Sequence, residues 1–261
     1  MALRILIDDK CFQSIFHQET HLDRFGHPGV PNPVHQRRIS TFLDILREPA
    51  AGIKNEVQIG AITETNLQWA SSLVLLTRAE PFSDEAFNPI TQFVLEAGNS
   101  LLIFSNHNPH EKHDHSLTQR FGVDLCGGYW SGRRELTTTI SGACLRAHPL
   151  LDAPEFGKPV SSLVTNTTCR IVSTVGTPFL YLPDGMVGRW SSEGEALIPD
   201  RIFGLIIDGS KSQSDAVKGK IVILADSGFI ADKDSTVPGK GLIDQGDNEV
   251  FIRRLIRFIC P

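Results

Sequence analysis

Apolar and polar positions follow two periods along this chain, and the switches between them mark out its elements. Residues 3–7 form a short apolar run that stops at Asp8-Asp9, the pattern of a buried strand reaching a polar edge. Residues 72–77 (SLVLLT) and 100–104 (SLLIF) are continuous apolar runs, as in strands covered on both faces. Ile39, Phe42, Leu43 and Leu46 recur at helical spacing and predict an amphipathic helix over 37–46. Residues 56–62 alternate and predict a further strand. The stretch FSDEAFNPITQFVLEAGN predicts a helix capped by Ser83 or Asn88, with Pro89 in its first turn and Gly98 just past its end. Its apolar face is Phe87, Ile90 and Val94. Strand, helix and strand in this order make a right-handed βαβ unit of a parallel sheet.

The second half is richer in strands. Residues 135–140, 162–173 and 178–182 read as strands, the last two separated by Gly176. Residues 202–207 and 220–225 read as buried strands, the latter meeting Asp226 at its end. The segment DNEVFIRRLIRFIC predicts a helix with Asp247 as N-cap and an apolar face of Val250, Phe251, Leu255, Phe258 and Ile259. Arg253, Arg254 and Arg257 are expected opposite that face or near the helix end. Residues 17–36, rich in His, Pro and Gly, read as a long loop. No repeat or linker divides the chain, so 1–261 reads as one α/β domain with a β-rich insertion at about 127–200.

Composition narrows the function classes. Twenty-five Lys and Arg stand against 30 Asp and Glu, a net charge of −5 that argues against a general nucleic-acid coat. No apolar run reaches the roughly 18 residues of a membrane span. The opening MALRILIDDKCF lacks the form of a secretory signal. Five scattered cysteines with no CxxC pair suit a reducing, cytoplasmic compartment rather than a disulfide or cysteine-zinc framework.

The stretch WASSLVLLTRAEPFSDEAFNPITQFVLEAGNSLLIFSNHN resembles the core of the class I glutamine amidotransferase-like superfamily. It is most similar to the non-catalytic branch associated with gliding-motility and transport-system proteins and with the intraflagellar-transport type. Residues 116–123 (SLTQRFGV) resemble that branch's N-x-L-L-x-x-F-G-I helix, and His148-Pro149-Leu150 its H-P-[IL] segment. GKIVILADSGFIAD followed by DNEVFIRRLIRFI resembles its closing strand and helix, so the resemblance runs from residue 55 or so to the end. It implies a flavodoxin-like, mostly parallel sheet with helices on both faces. It also implies a scaffold for binding or assembly. A catalytic member carries G-x-C-x-G at a strand-to-helix elbow and a late His–Glu pair. Here the corresponding strand end reads Phe104-Ser105-Asn106-His107-Asn108, with no Cys and no elbow glycines, and the late pair is missing. Glutamine hydrolysis by that mechanism is therefore not expected.

Ligands of parallel α/β sheets bind outside the carboxyl ends of the strands. Asp8, Asp9, Asn106, His107, Asp226 and Ser227 stand at three such ends and are the candidate ligand-binding residues, with His17 after the first strand. The bland alternative is that they cap their own turns. Ser105, His107 and Asp9 are the candidate catalytic groups. His107, His110, His113 and His115, in NHNPHEKHDH, could hold a divalent metal. Their spacing matches no standard zinc signature, Pro109 argues against one helical face, and a solvated loop accounts for them equally. Two functions remain open. One is a non-catalytic protein binding a small molecule, glycan or protein partner. The other is a hydrolase of altered chemistry, metal-assisted or Ser-based, built on Asp9, His107 and Asp226. The β-rich part could also form an oligomer or partner surface through Tyr181 and Trp190.

Overall fold

The continuous apolar runs of the sequence become strands buried at every position, 72–76 and 100–104 among them. The computed structural model describes residues 3–10, 39–50, 53–78, 81–107, 111–131, 137–189, 201–209, 218–232 and 241–259. In chain order the elements are β1 (Arg4–Asp8), α1 (Ser40–Arg47), the short hairpin β2 (Pro49–Ala50) and β3 (Ile53–Lys54), β4 (Glu56–Gly60) and α2 (Glu64–Trp69). They continue with β5 (Ser72–Leu76), α3 (Asp84–Leu95), β6 (Ser100–Phe104), α4 (Glu111–Thr118), β7 (Val123–Ser131), β8 (Thr138–Ser141) and α5 (Pro149–Asp152). The rest are β9 (Ser162–Thr165), β10 (Thr168–Ser173), β11 (Thr177–Tyr181), β12 (Val187–Arg189), β13 (Ile202–Asp208), β14 (Lys220–Leu224) and α6 (Asn248–Ile259).

One ten-stranded sheet runs in the order β12-β7-β10-β13-β14-β6-β5-β1-β4, with β11 on β13. The strands β4, β1, β5, β6 and β14 are mutually parallel. Taken in chain order, this is the flavodoxin-like arrangement, whose direction of winding reverses between β1 and β5. Right-handed crossovers then place α1 and α2–α3 on opposite faces. In accord with this, α1 packs on α6, and α2 on α3. Beyond β14 the pairing turns antiparallel through β13, β10, β7 and β12. The β-rich excursion thus extends the main sheet, apart from the separate pair β8–β9. On the α1–α6 face Phe42 meets Phe104 edge-on at 5.6 Å, and Phe229 lies between Phe104 and Phe251 at 5.8 and 6.0 Å.

Several local expectations are corrected. Pro89 sits inside α3 rather than in its first turn, because the helix starts at Asp84. The carbonyl that the proline ring leaves without its helical N–H is that of Glu85, an exposed residue. Residues 162–173 are two strands in two sheets. The chain breaks where the Asp226 carboxylate accepts from the Thr165 hydroxyl at 2.7 Å and the Asn166 N–H at 3.3 Å. Asp247 precedes α6, but its carboxylate binds the N–H and hydroxyl of Ser161 and the Lys158 ammonium instead of the helix. Arg254 is not on the outer face of α6: it is wholly buried. The long 17–36 loop and Trp190 lie outside the described residues, and Tyr181 is half-buried.

Helix α1 is capped from a distance. No side chain of its own closes its N-terminus. Asp232 accepts from the backbone N–H of Ser40 at 2.6 Å and of Thr41 at 3.0 Å, and from the Ser40 hydroxyl. Burial pushes the Asp232 carboxyl up, but these hydrogen bonds together outweigh it and hold the group below the ordinary carboxylate value. A depressed value means stability that is present above pH 4 or so and lost as the pH falls through the folded-state value. Asp232→Ala is expected to cost about 1–2 kcal/mol. In urea unfolding at pH 7 the loss should be evident, and it should shrink as the pH approaches 3.

Candidate functional site

The winding reverses between β1 and β5, and in doubly wound sheets ligands bind at the carboxyl ends of the strands beside such a reversal. The backbone ladder runs one step past the strands there, with Thr77 N–H on the Phe104 carbonyl and Ser105 N–H on the Leu224 carbonyl, both at 2.8 Å. Thr77 has φ +29°, a strained value for a β-branched residue. Its hydroxyl lies 2.7 Å from Ser227 Oγ, 3.1 Å from the Phe104 carbonyl and 3.2 Å from that of Ser105. Asn106 donates to Ser227 Oγ at 3.2 Å and accepts the His107 N–H at 2.8 Å. Three strand ends, those of β5, β6 and β14, are therefore stitched together by short polar side chains.

Charged groups are buried beneath this stitching. Asp8, 1% exposed, pairs with Arg78, whose guanidinium also lies 4.0 Å over the Phe82 ring. Burial pushes the Asp8 carboxyl up to about 6, although Arg78 pulls the other way. Ser105 donates to Asp114 Oδ2 at 2.9 Å. Asp114 is fully buried, and burial raises its carboxyl to about 7 against the pull of the Ser105 bond and of Arg78. Glu111, one helical turn earlier on α4, is 1% exposed and is likewise raised to about 7 by burial. Cys169 is raised well above the ordinary thiol value, by burial first and then by the nearby Glu111 and Asp114 carboxyls, so it is an inert thiol.

The sequence-derived candidates separate into distinct groups. Asp8, Ser105, Asn106, Asp226 and Ser227 are all buried at the strand ends. Asp9 is exposed, its N–H bound to the Gly60 carbonyl, and His107 is half-buried. Asp226 is committed to Thr165, Asn166 and the Gly228 N–H of its own turn. Segment 111–118 is helix α4, not a loop. His113 Nδ1 meets the Arg78 carbonyl at 2.9 Å, and His115 Nδ1 accepts the Leu125 N–H at 3.1 Å. Among the described residues no three potential metal ligands converge. His17 and His110 lie outside the described residues. Three groups of the site escaped the sequence reading: Arg78, Glu111 and the role of Asp114. The signals were a lone arginine directly after a buried strand, and two acids three residues apart.

No family model matches the chain, and no curated protein does. Solved structures share its fold. The mmIFT52 N-terminal domain superposes with a TM-score of 0.64 at 12% identity, over 98% of this chain and 96% of that one. A ThuA-like protein from Bacteroides uniformis superposes with a TM-score of 0.51 at 13% identity, over 97% of this chain and 89% of that one. At this level of identity the likeness establishes the fold, in agreement with the fold that the sequence resemblance implied.

Proposed function

We propose that this chain is a non-catalytic binding or assembly protein of the amidotransferase-like fold, with its ligand or partner at the carboxyl ends of β1, β5, β6 and β14. The observation that carries this reading is the commitment of the strand-end groups to one another. Ser105, in the nucleophile's place, is wholly buried and donates its proton to Asp114. Asp226 ties down a neighbouring loop, and His113 and His115 serve backbone groups. Asp9, which is exposed, and His107, which is half-buried, stand where a ligand would meet the strand ends. The occupant is a small molecule, a glycan or a protein partner, and nucleic acid is disfavoured by the net charge of −5. Among the described residues Cys144 and Cys169 are in no disulfide, in keeping with a cytoplasmic site of action. No helix among the described residues is long and apolar enough to cross a membrane.

One observation favours a Ser-based hydrolase as the second reading: a carboxyl raised to about 7 is bonded to a serine at a strand end, as a general base would be. Turnover assays separate the two. Glutamine and p-nitrophenyl acetate should be hydrolysed no faster by the wild type than by Ser105→Ala. A glycan and metabolite panel read by thermal shift should yield a saturable ligand whose effect weakens in Asp9→Ala and His107→Ala. Turnover abolished by Ser105→Ala would replace the binding reading with the hydrolase.

A further inference from the structure

Helix α4 lies against the site with almost no apolar means of staying there. Its sequence is EKHDHSLT, in which Leu117 is the one apolar residue. The remaining anchors are polar. Glu111 and Asp114 are buried, His113 holds the Arg78 carbonyl, and His115 holds the Leu125 N–H. Glu111 Oε2 and Asp114 Oδ1 are buried and have no hydrogen-bond partner among the described residues. An ionised carboxylate accepts at both oxygens and needs donors there, so these two are housed as an uncharged acid is. The cradle is specific: a Cβ on Gly127 would lie 2.8 Å from Glu111 Oε1, so glycine is what admits this side chain. Gly127 belongs to an irregular stretch of β7, where the register against β10 shifts between Thr168 and Arg170.

We propose that α4 is a proton-held latch over the carboxyl-end site, docked while Glu111 and Asp114 carry protons and released as they ionise. The charges around the pair favour release. Arg78 is the buried cation near Asp114, and it already pairs with Asp8. Cys169 of β10 faces both acids, with Asp226 close to the same thiol, and neither supplies positive charge. On α4 itself Lys112 is exposed. On β7, which packs on α4, Asp124 is exposed and bound by Gln119, and Cys126 is a half-buried thiol. His113 and His115 are engaged with backbone groups, the Arg78 carbonyl and the Leu125 N–H. Release would uncover Ser105 and the Asp8–Arg78 pair, and the latch's meaning for ligand access rests on the binding reading above.

Burial raises both acids to about 7 in the docked state, and undocked they return to ordinary carboxylate values. The docked helix therefore holds more protons, and undocking becomes easier as pH climbs toward 7. Hydrogen exchange of the full chain, without ligand and corrected for intrinsic rates, reads this directly. The opening constant of amides in 112–118 should rise at least tenfold from pH 6 to 8, most of it below pH 7, while β5 and β6 amides hold steady. Glu111→Gln with Asp114→Asn, an uncharged mimic of the docked pair, should flatten that rise. Circular dichroism confirms that this variant is folded, and the wild-type series stands without it. A flat wild-type profile, a rise shared equally by β5 and β6, or a slope kept by the double variant would overturn the latch. None of these outcomes bears on whether the site binds a ligand.

Discussion

Arg254→Ala is expected to lower the midpoint of thermal unfolding by about 10 °C, from a loss of about 4 kcal/mol in a chain of this size. The guanidinium is wholly buried and donates to five backbone carbonyls. Nε binds Leu150 at 2.6 Å, one terminal nitrogen binds Gly157 at 2.7 Å and Lys158 at 3.1 Å, and the other binds Ala153 at 2.8 Å and Pro149 at 3.0 Å. Those carbonyls belong to α5 and the turns after it, which α6 covers. Truncation would take a donor from all five: the Pro149 and Ala153 carbonyls keep the N–H groups of Ala153 and Phe156, whereas those of Leu150, Gly157 and Lys158 lose the donor that the arginine supplies, and each such loss is costly. Arg254→Lys keeps the charge but offers three donors on a tetrahedral head, so it cannot reproduce a planar fork that reaches both ends of the segment. It should fall between alanine and the wild type. Differential scanning calorimetry of the three proteins decides the matter. A shift below about 3 °C for the alanine variant would mean that water reaches the carbonyls and that the arginine is no clamp.

Arg254 also shows where the sequence stops being legible. Its spacing along α6 places it among the surface arginines, and nothing local distinguishes it from Arg253, which pairs with Glu48 and Glu249. What buries it is a set of backbone carbonyls about 100 residues earlier in the chain. The strands β5 and β6 were legible because a run of apolar residues has few places to go in a folded chain. The strand-end residues Asp8, Ser105, Asn106, Asp226 and Ser227 were legible for the same reason: polarity following such a run marks the edge of a sheet. The resemblance marked a helix only from Ser116, and the first turn and more of α4 was hidden. With one apolar residue it has no amphipathic period to detect, and its docking is made by acids and imidazoles whose partners are on other elements. Arg78 was hidden similarly, since a charge after a strand usually faces water, and only the topology of β1 beside β5 brings Asp8 to meet it. Strand Ser162–Thr165 looked continuous with Thr168–Ser173 because the break is imposed by Asp226, some 60 residues away.

Arg78→Met should cost about 3–5 kcal/mol at pH 8 and clearly less at pH 5. The side chain is 8% exposed, and it sits between a buried carboxylate and the ring of Phe82, so methionine keeps much of its volume while removing its charge. Removing one partner of a buried ion pair strands the other in a poorly solvating place. The pH dependence follows from Asp8. In the wild type its folded-state value, about 6, already lies above the ordinary 3.8 because burial outweighs the attraction of Arg78. An acid raised on folding holds extra protons in the native state, so stability declines as pH rises between those two values and then levels. Without Arg78 the lowering influence is gone, the folded-state value climbs further, and the decline continues past pH 6. The gap between variant and wild type therefore widens with pH. At pH 5 Asp8 is neutral in both proteins, and what remains is the lost cation–π contact and hydrogen bonding, about 1–2 kcal/mol. Adding Asp8→Asn to Arg78→Met should remove most of the widening, leaving the smaller part that Asp114 contributes through its own attraction to Arg78. Urea unfolding of the wild type, the single variant and the double variant at pH 5 and pH 8 supplies every quantity needed. Equal losses for Arg78→Met at the two pH values would show that Asp8 has another counterion, and would dissolve the pair as the electrostatic centre of the site.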